Sequence, residues 1–113
     1  MKILVIGGMH GNEMLGIDLV KSLQENIDSV LANEEAIKRN KRFVEQDLNR
    51  SFPGVKSSGI YEQQRPIELL EMCKKYDIVF DFHNTFCPDN DCTFVGEGAN
   101  EELLAASWLL GLP

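Results

Sequence analysis

The chain has 113 residues, a length that suits one domain with a single modest hydrophobic core. Hydrophobic residues make up 43% and charged residues 26%, which is ordinary globular composition. The formal net charge of −7 argues against nucleic acid and against an anionic membrane surface as partners, since both favour a basic face.

The sequence also indicates a compartment. No segment is apolar over the length that a bilayer requires, and the apolar start at residues 1–6 stops at two glycines without a small-residue cleavage site. The three cysteines are an odd number without framework spacing. We therefore expect a cytoplasmic protein.

The first elements are a strand, a turn and a helix. Lys2–Ile6 is a short apolar run that ends at two glycines, which is typical of a central strand, and residues 7–11 form a turn. A helix is expected from near Asn12, with Glu13 in its first turn. Four apolar residues share one face of this helix and are expected to pack on the sheet: Leu15, Leu19, Val20 and Leu23.

The remaining elements continue the alternation. Ser29–Ala32 indicates a weaker strand, and residues 33–59 are polar and irregular, with the loop sequence DLNRSFPG at 47–54. The later predictions are a helix over Tyr61–Tyr76, strands over Asp77–His83 and Cys92–Val95, and a helix over Glu101–Leu110. Alternating strands and helices predict an α/β fold with a mixed, largely parallel sheet flanked by helices.

The end of the chain is strongly apolar. Trp108, Leu109, Leu110 and Leu112 lie close to the terminus, where a helix would need a further element to pack on. This pattern predicts either a chain that is cut short or a homo-oligomer that forms through the exposed apolar helix.

The first candidate site is His10 with Glu13, in the sequence GGMHGNE. The preceding strand delivers the chain to the carboxyl edge of the sheet, where ligands bind in open α/β folds. A spacing of three residues lets an imidazole and a carboxylate converge on one ion. The alternative is a helix start in which Glu13 serves the helix dipole, and the motif alone leaves the two about equally favoured.

His83 ends the predicted strand DIVFDFH and is the second of the chain's two histidines. Parallel strands place their carboxyl ends side by side, which favours a shared site over a histidine that is simply hydrogen-bonded in the core. Asp81 lies two residues earlier on the same strand face and is a candidate partner for a ring N–H. Two histidines and one carboxylate are the ligand set of catalytic zinc in hydrolases. A closed zinc site of Cys87, Cys92 and His83 is the weaker alternative, because it lacks a tight cysteine pair.

The third candidate is Asn49-Arg50 in DLNRSFPG, together with Arg42. Guanidinium groups in an acidic protein indicate an anionic ligand, since arginine binds a carboxylate through two hydrogen bonds. The alternative is a solvated arginine paired with Asp47 or Glu45.

GGMHGNE, DLNRSFPG and DFHNTF, in this order and at these spacings, resemble the aspartoacylase and succinylglutamate desuccinylase family of the zinc carboxypeptidase-like superfamily. The resemblance runs over nearly the whole chain. It implies the N-terminal half of a zinc carboxypeptidase-like fold and a hydrolase that splits small anionic N-acyl amino acids into an acid and an amino acid.

Carried over by motif, the resemblance implies roles for six residues. His10, Glu13 and His83 would bind one zinc ion, Asn49 and Arg50 would hold a substrate carboxylate, and Arg42 would stabilise the oxyanion formed when an activated water attacks the amide carbonyl.

One departure from the family pattern concerns the general base. In the family the base is a glutamate on a later strand, and Glu97 does not match that motif. Residues 1–113 are therefore expected to be a single, truncated catalytic domain that binds metal but is inactive alone. The alternative is a non-catalytic metal- or carboxylate-binding module derived from the same family.

Overall fold

A computed structural model describes residues 1–84 and 92–109. Its elements are, in chain order, β1 (Ile3–Gly7), α1 (Met14–Ser22), β2 (Asp28–Leu31), α2 (Glu34–Lys38), a 3₁₀ turn (Leu48–Arg50), α3 (Tyr61–Cys73), β3 (Ile78–Phe82) and α4 (Glu101–Leu109). No helix of the described residues is long and apolar enough to cross a membrane.

The three strands form a parallel sheet in the order β2-β1-β3. In the register, Gly7 at the end of β1 lies opposite Leu31 of β2 and Phe82 of β3. All three strands therefore end at one edge of the sheet. This arrangement confirms the predicted α/β fold and the central position of the first strand.

The core lies on the face of the sheet that α3 covers. Six buried residues form its hydrophobic cluster: Leu4, Ile6, Met9, Ala32, Leu48 and Leu69. Leu48 lies between Asp47 and Asn49 in the DLNR sequence and is fully buried, so it anchors this loop to the core. Burying a leucine side chain contributes about 1.5–3 kcal/mol, which is enough to fix such a loop locally.

α1 packs on the sheet through its smallest residue. A methyl group on Gly7 would lie 2.1 Å from the carbonyl oxygen of Gly16, so only glycine permits this approach of helix and strand. Gly16 and Ile17 are the buried residues of α1, whereas Leu15 is 55% exposed. The predicted leucine face was therefore wrong at Leu15, because the contact is made by backbone at a glycine.

Three other predictions differ from the structure. α1 begins at Met14, so Glu13 is the residue before the helix rather than part of its first turn. α2 interrupts the stretch that was predicted to be irregular, and its cap is Asn33, whose side chain accepts a hydrogen bond from the backbone of Ala36. Cys92–Val95 forms no strand with the described part of the sheet.

Candidate metal centre

The turn after β1 carries the first part of the site. Gly8 has a φ of 69°, a left-handed conformation that glycine adopts without strain, and it turns the chain across the end of the sheet. The backbone N–H of Gly11 then donates to the carbonyl of Arg42 at 3.2 Å. The turn thus places His10, which is only 3% exposed, between β1 and the loop that begins at Arg42.

His10, Glu13 and His83 lie together at the carboxyl edge of the sheet. One potential ligand atom from each falls within 4.8 Å of the others. Nδ1 of His10 is 2.8 Å from Oε1 of Glu13, and Nδ1 of His83 is 3.1 Å from Oε2 of the same carboxylate. Two imidazole nitrogens and a carboxylate therefore converge from the ends of neighbouring strands.

The outer nitrogen of each imidazole contacts a second carboxylate. Nε2 of His10 lies 2.9 Å from Asp47, and Nε2 of His83 lies 2.9 Å from Asp81. A carboxylate on the outer nitrogen favours a proton there and leaves the inner nitrogen free to donate a lone pair. The structure brings Asp81 to the position that the strand spacing predicted.

These contacts shift two pKa values. The hydrogen bond to Asp81 raises the pKa of His83, partial burial opposes it, and the charges of Asp81 and Glu13 add to the rise. For Asp47, burial alone would raise the pKa, but the hydrogen bond and charge of His10, with the Asn49 backbone and Arg42, outweigh it and hold the pKa below its ordinary value. Asp47 is therefore ionised at neutral pH.

Glu13 contributes both of its oxygens to the cluster. Oε1 accepts a hydrogen bond from Nη1 of Arg42 at 3.2 Å, and Oε2 accepts one from the backbone N–H of Asn84 at 3.1 Å. The Glu13 side chain makes no capping hydrogen bond to α1. Both oxygens of Glu13 are thus engaged by the cluster rather than by a capping hydrogen bond.

Arginines lie beside the cluster. Nη2 of Arg42 is 3.8 Å from Asp47, and Nε of Arg50 is 3.9 Å from the same carboxylate. Arg50 is 85% exposed, and neighbouring Asn49 is exposed as well. The loop thus presents polar groups to solvent next to the converging ligands.

Comparison with known proteins places the chain in a family. The Succinylglutamate desuccinylase/Aspartoacylase catalytic domain matches residues 1–89. The chain belongs to this family. This finding confirms the resemblance carried by the three sequence motifs.

Individual relatives show how much of the family fold is present. The N-acyl-aromatic-L-amino acid amidohydrolase (carboxylate-forming) of Xenopus laevis is 32% identical over 96% of this chain and 42% of its own length. The aspartoacylase of Danio rerio is 31% identical over 74% of this chain and 34% of its own length. The chain therefore spans less than half of these relatives.

Solved structures show the same relation. Murine aminoacylase 3 superposes with a TM-score of 0.61 at 29% identity, over 75% of this chain and 35% of that protein. Succinylglutamate desuccinylase from Chromobacterium violaceum gives 0.59 at 25% identity, over 74% and 33%. The fold of the aspartoacylase family is thus shared over three quarters of the chain.

Sequence reasoning missed part of the site. Asp47 was considered only as a partner of a surface arginine, although its oxygen faces His10 across 37 positions of chain. The sequence feature that could have pointed to Asp47 is its position at the start of DLNR, where its side chain accepts a hydrogen bond from the backbone of Asn49. The backbone of Asn84 was missed because a main-chain donor leaves no trace in residue type.

Other predictions fall away from the cluster. Cys87 lies outside the described residues, and Cys92 is exposed. Glu97 lines a surface cavity with Asp77, which precedes β3, whereas His83 follows it. Of the apolar end, residues 110–113 lie outside the described part, so self-association through it stays a prediction.

Proposed function

We propose that this chain is part of a zinc-dependent hydrolase that cleaves the amide bond of N-acyl amino acids. The observation that carries the proposal is the convergence of His10, Glu13 and His83 at one edge of the sheet. Members of the family named above are aspartoacylases and N-acyl amino acid amidohydrolases, which supports a substrate of this class. We further propose that residues 1–113 fold as one unit of the catalytic domain.

The donor set fits one zinc ion per chain. Both inner imidazole nitrogens face the same carboxylate at 2.8 and 3.1 Å, and both outer nitrogens have an acidic partner at 2.9 Å. This is the pattern of histidine ligands oriented by carboxylates. Zinc in such a site supplies Lewis acidity that polarises a carbonyl and lowers the pKa of a nearby water to about 7.

The proposed role of Arg42 is to stabilise the oxyanion of the substrate. Its guanidinium already reaches the ligand cluster, at 3.2 Å from Glu13, and it is partly exposed. It can therefore contact both the cluster and a bound carbonyl. Stabilisation of charge that develops in the transition state is a large contribution to catalysis.

Asn49 and Arg50 are proposed to bind the substrate carboxylate. Both are exposed on the 3₁₀ turn, and within the described part of the chain the one ion pair of Arg50 is a long contact, 3.9 Å, to Asp47. An exposed guanidinium and amide on a loop anchored by Leu48 suit the recognition of a small anion. The aspartate of an N-acetyl-aspartate-like substrate is one such anion.

For residues 1–113 in isolation we propose metal binding without appreciable turnover. Among the described residues, the carboxylates at the cluster are already engaged: Glu13 faces both histidines, and Asp47 and Asp81 hold their outer nitrogens. None of the three is free to take a proton from water. A non-catalytic metal- or carboxylate-binding module remains the alternative function on the same observation.

The test combines metal analysis with hydrolysis assays of the full-length protein on N-acetyl-aspartate and a panel of N-acyl amino acids. We expect one zinc ion per chain and turnover that disappears in His83→Ala. Stoichiometric zinc without turnover on any of these substrates favours the binding module, and absence of zinc from the unmodified protein contradicts the proposal.

A further inference from the structure

A carboxylate outside the cluster is completely buried. Glu62 lies in the first turn of α3, and 0% of its surface is exposed. Burial of an ionised carboxylate is costly unless hydrogen bonds replace the lost water. The groups that donate hydrogen bonds to Glu62 are therefore the parts of the chain that its buried carboxylate holds in place.

Its donors come from one short segment and one amide. The backbone N–H of Val44 donates to Oε1 at 2.6 Å, and that of Glu45 lies 3.3 Å from Oε2. The side-chain amide of Asn33 donates to Oε1 at 3.4 Å. Hydrogen bonds from N–H groups to a carboxylate are stronger than neutral ones. Glu62 thus fixes the backbone two and three residues after Arg42.

The segment that Glu62 holds runs from Arg42 to Asp47, and both of its ends contact the candidate metal centre. At one end, the carbonyl of Arg42 accepts a hydrogen bond from Gly11 in the turn that carries His10. At the other, Asp47 holds His10 itself. Between these ends, α3 makes a second contact with the segment: Nε2 of Gln63 donates a hydrogen bond to Oε1 of Gln46 at 2.8 Å.

We propose that Glu62 is a positioning residue for Arg42: by fixing the backbone of Val44 and Glu45, it directs the guanidinium toward the reacting carbonyl. The proposal rests on the role proposed above for Arg42. The Arg42 side chain is 38% exposed and long, so its aim depends on the backbone at its base. A shift of about 1 Å in a positioning group costs on the order of 100-fold in rate.

The buried network also connects Glu62 to the turn at the end of β1. Asn33, which is itself fully buried, donates its backbone N–H to Gly8 at 3.0 Å and caps α2 with its side chain. The same asparagine reaches Glu62. Hydrogen bonds through Asn33 and Glu62 therefore link the segment after Arg42 to the turn that carries His10.

The test is a double-mutant cycle of Glu62→Gln and Arg42→Ala in the zinc-loaded full-length protein. The glutamine keeps the size of the side chain but places an amide donor against a backbone donor. We expect a fall in kcat of about 10- to 100-fold with little change in KM. In the Arg42→Ala background, Glu62→Gln should cost no further kcat, because both changes remove the same contribution.

A matched control separates positioning from general stability. Glu71→Gln makes the same substitution on the same helix, at a side chain that is 64% exposed and whose one ion pair among the described residues is with Lys74. It should leave kcat, KM and zinc content unchanged. Glu62→Gln should retain zinc. Glu62→Asp, which keeps the charge but shortens the reach, should show the same loss of kcat and the same coupling to Arg42.

The outcomes distinguish the two proposals. If Arg42→Ala leaves kcat unchanged, the role proposed for Arg42 fails. If Arg42→Ala slows turnover but Glu62→Gln lowers kcat equally in both backgrounds, the positioning role fails while the proposed function stands. Failure of both Glu62→Gln and Glu62→Asp to fold would make Glu62 a folding residue and would overturn the proposal.

Discussion

The two histidines of the cluster are held by different parts of the molecule. His10 is 3% exposed, and its partner Asp47 belongs to a segment that is tied to α3 and anchored by a buried leucine. His83 is 28% exposed, and its partner Asp81 is on β3, which pairs only with β1 among the described strands. One half of the site is built into the core, and the other lies on β3, at the edge of the sheet that the described residues form.

This difference separates two functions that a ligand residue can have. The His10 half is part of the network that stabilises the fold, because the residues around His10 also contact one another. Asp47, for example, contacts Arg42 and the backbone of Asn49. The His83 half is connected mainly through Glu13 and through Asn84, whose side chain accepts a hydrogen bond from the backbone of Leu15 at 3.1 Å. We therefore expect loss of His10 to affect both metal binding and folding, and loss of His83 to affect metal binding almost alone.

The largest expected effect comes from removing either ligand. His10→Ala and His83→Ala should each abolish stoichiometric zinc binding, a loss beyond the 10- to 100-fold expected for an outer partner. Only His10→Ala should also lower the free energy of unfolding of the metal-free protein, by about 1–3 kcal/mol, because it removes one hydrogen bond from each of two largely buried carboxylates, Glu13 and Asp47. Metal analysis and denaturant unfolding measure the two effects. Equal destabilisation by both variants would contradict the comparison, and undiminished zinc in both would contradict the site.

The next effect compares the two arginines of the His10 half. In the full-length protein, Arg42→Ala should lower kcat by about 10²–10³-fold, since it removes charge stabilisation made in the transition state. Arg50→Ala should chiefly raise KM, because contact with a substrate carboxylate is made before and during reaction. Steady-state kinetics on an N-acyl amino acid decide this, and the reverse pattern would exchange the roles.

A smaller effect is expected for the outer carboxylates. Asp47→Asn and Asp81→Asn should each weaken zinc binding by about 10- to 100-fold, with the larger loss for Asp47, which is 17% exposed against 31% for Asp81. Competition with a chelator measures both affinities on matched substitutions. A larger loss for Asp81→Asn would show that the edge strand, rather than the buried loop, controls the geometry of the site.

The features that sequence predicted best are those encoded by local patterns. The strand ends placed both histidines at one edge, and a spacing of two residues placed Asp81 beside His83. The start of α2 was also encoded, because Asn33 is followed by two glutamates, but a helix of five residues is too short to show a hydrophobic period.

The features that sequence did not predict depend on long-range contacts. The partnership of His10 with Asp47 and the burial of Glu62 join positions that only the packing of α3 against the loop brings together. A glutamate in a polar stretch is almost always exposed, and its residue type gives no sign of burial. The close contact of Gly7 with Gly16 was likewise not predicted, and Leu15, which the helical period placed on the sheet, is exposed instead.

The smallest expected effect concerns Glu97, the residue in this chain that would be the first candidate for its own general base. A base must lie within hydrogen-bond distance of the water that it deprotonates. Glu97 lines a cavity with Asp77 at the amino end of β3, and an extended strand from there to His83 spans about 20 Å. Glu97→Gln should therefore leave kcat, KM and zinc content of the full-length protein unchanged, and zinc-loaded residues 1–113 should show no appreciable turnover.

Arg42→Ala serves as the positive control in the same assay. A positioned acid–base group contributes about 10²–10⁴-fold in rate, so a loss of that size in Glu97→Gln, with zinc and stability intact, would place the base on this side of the chain after all.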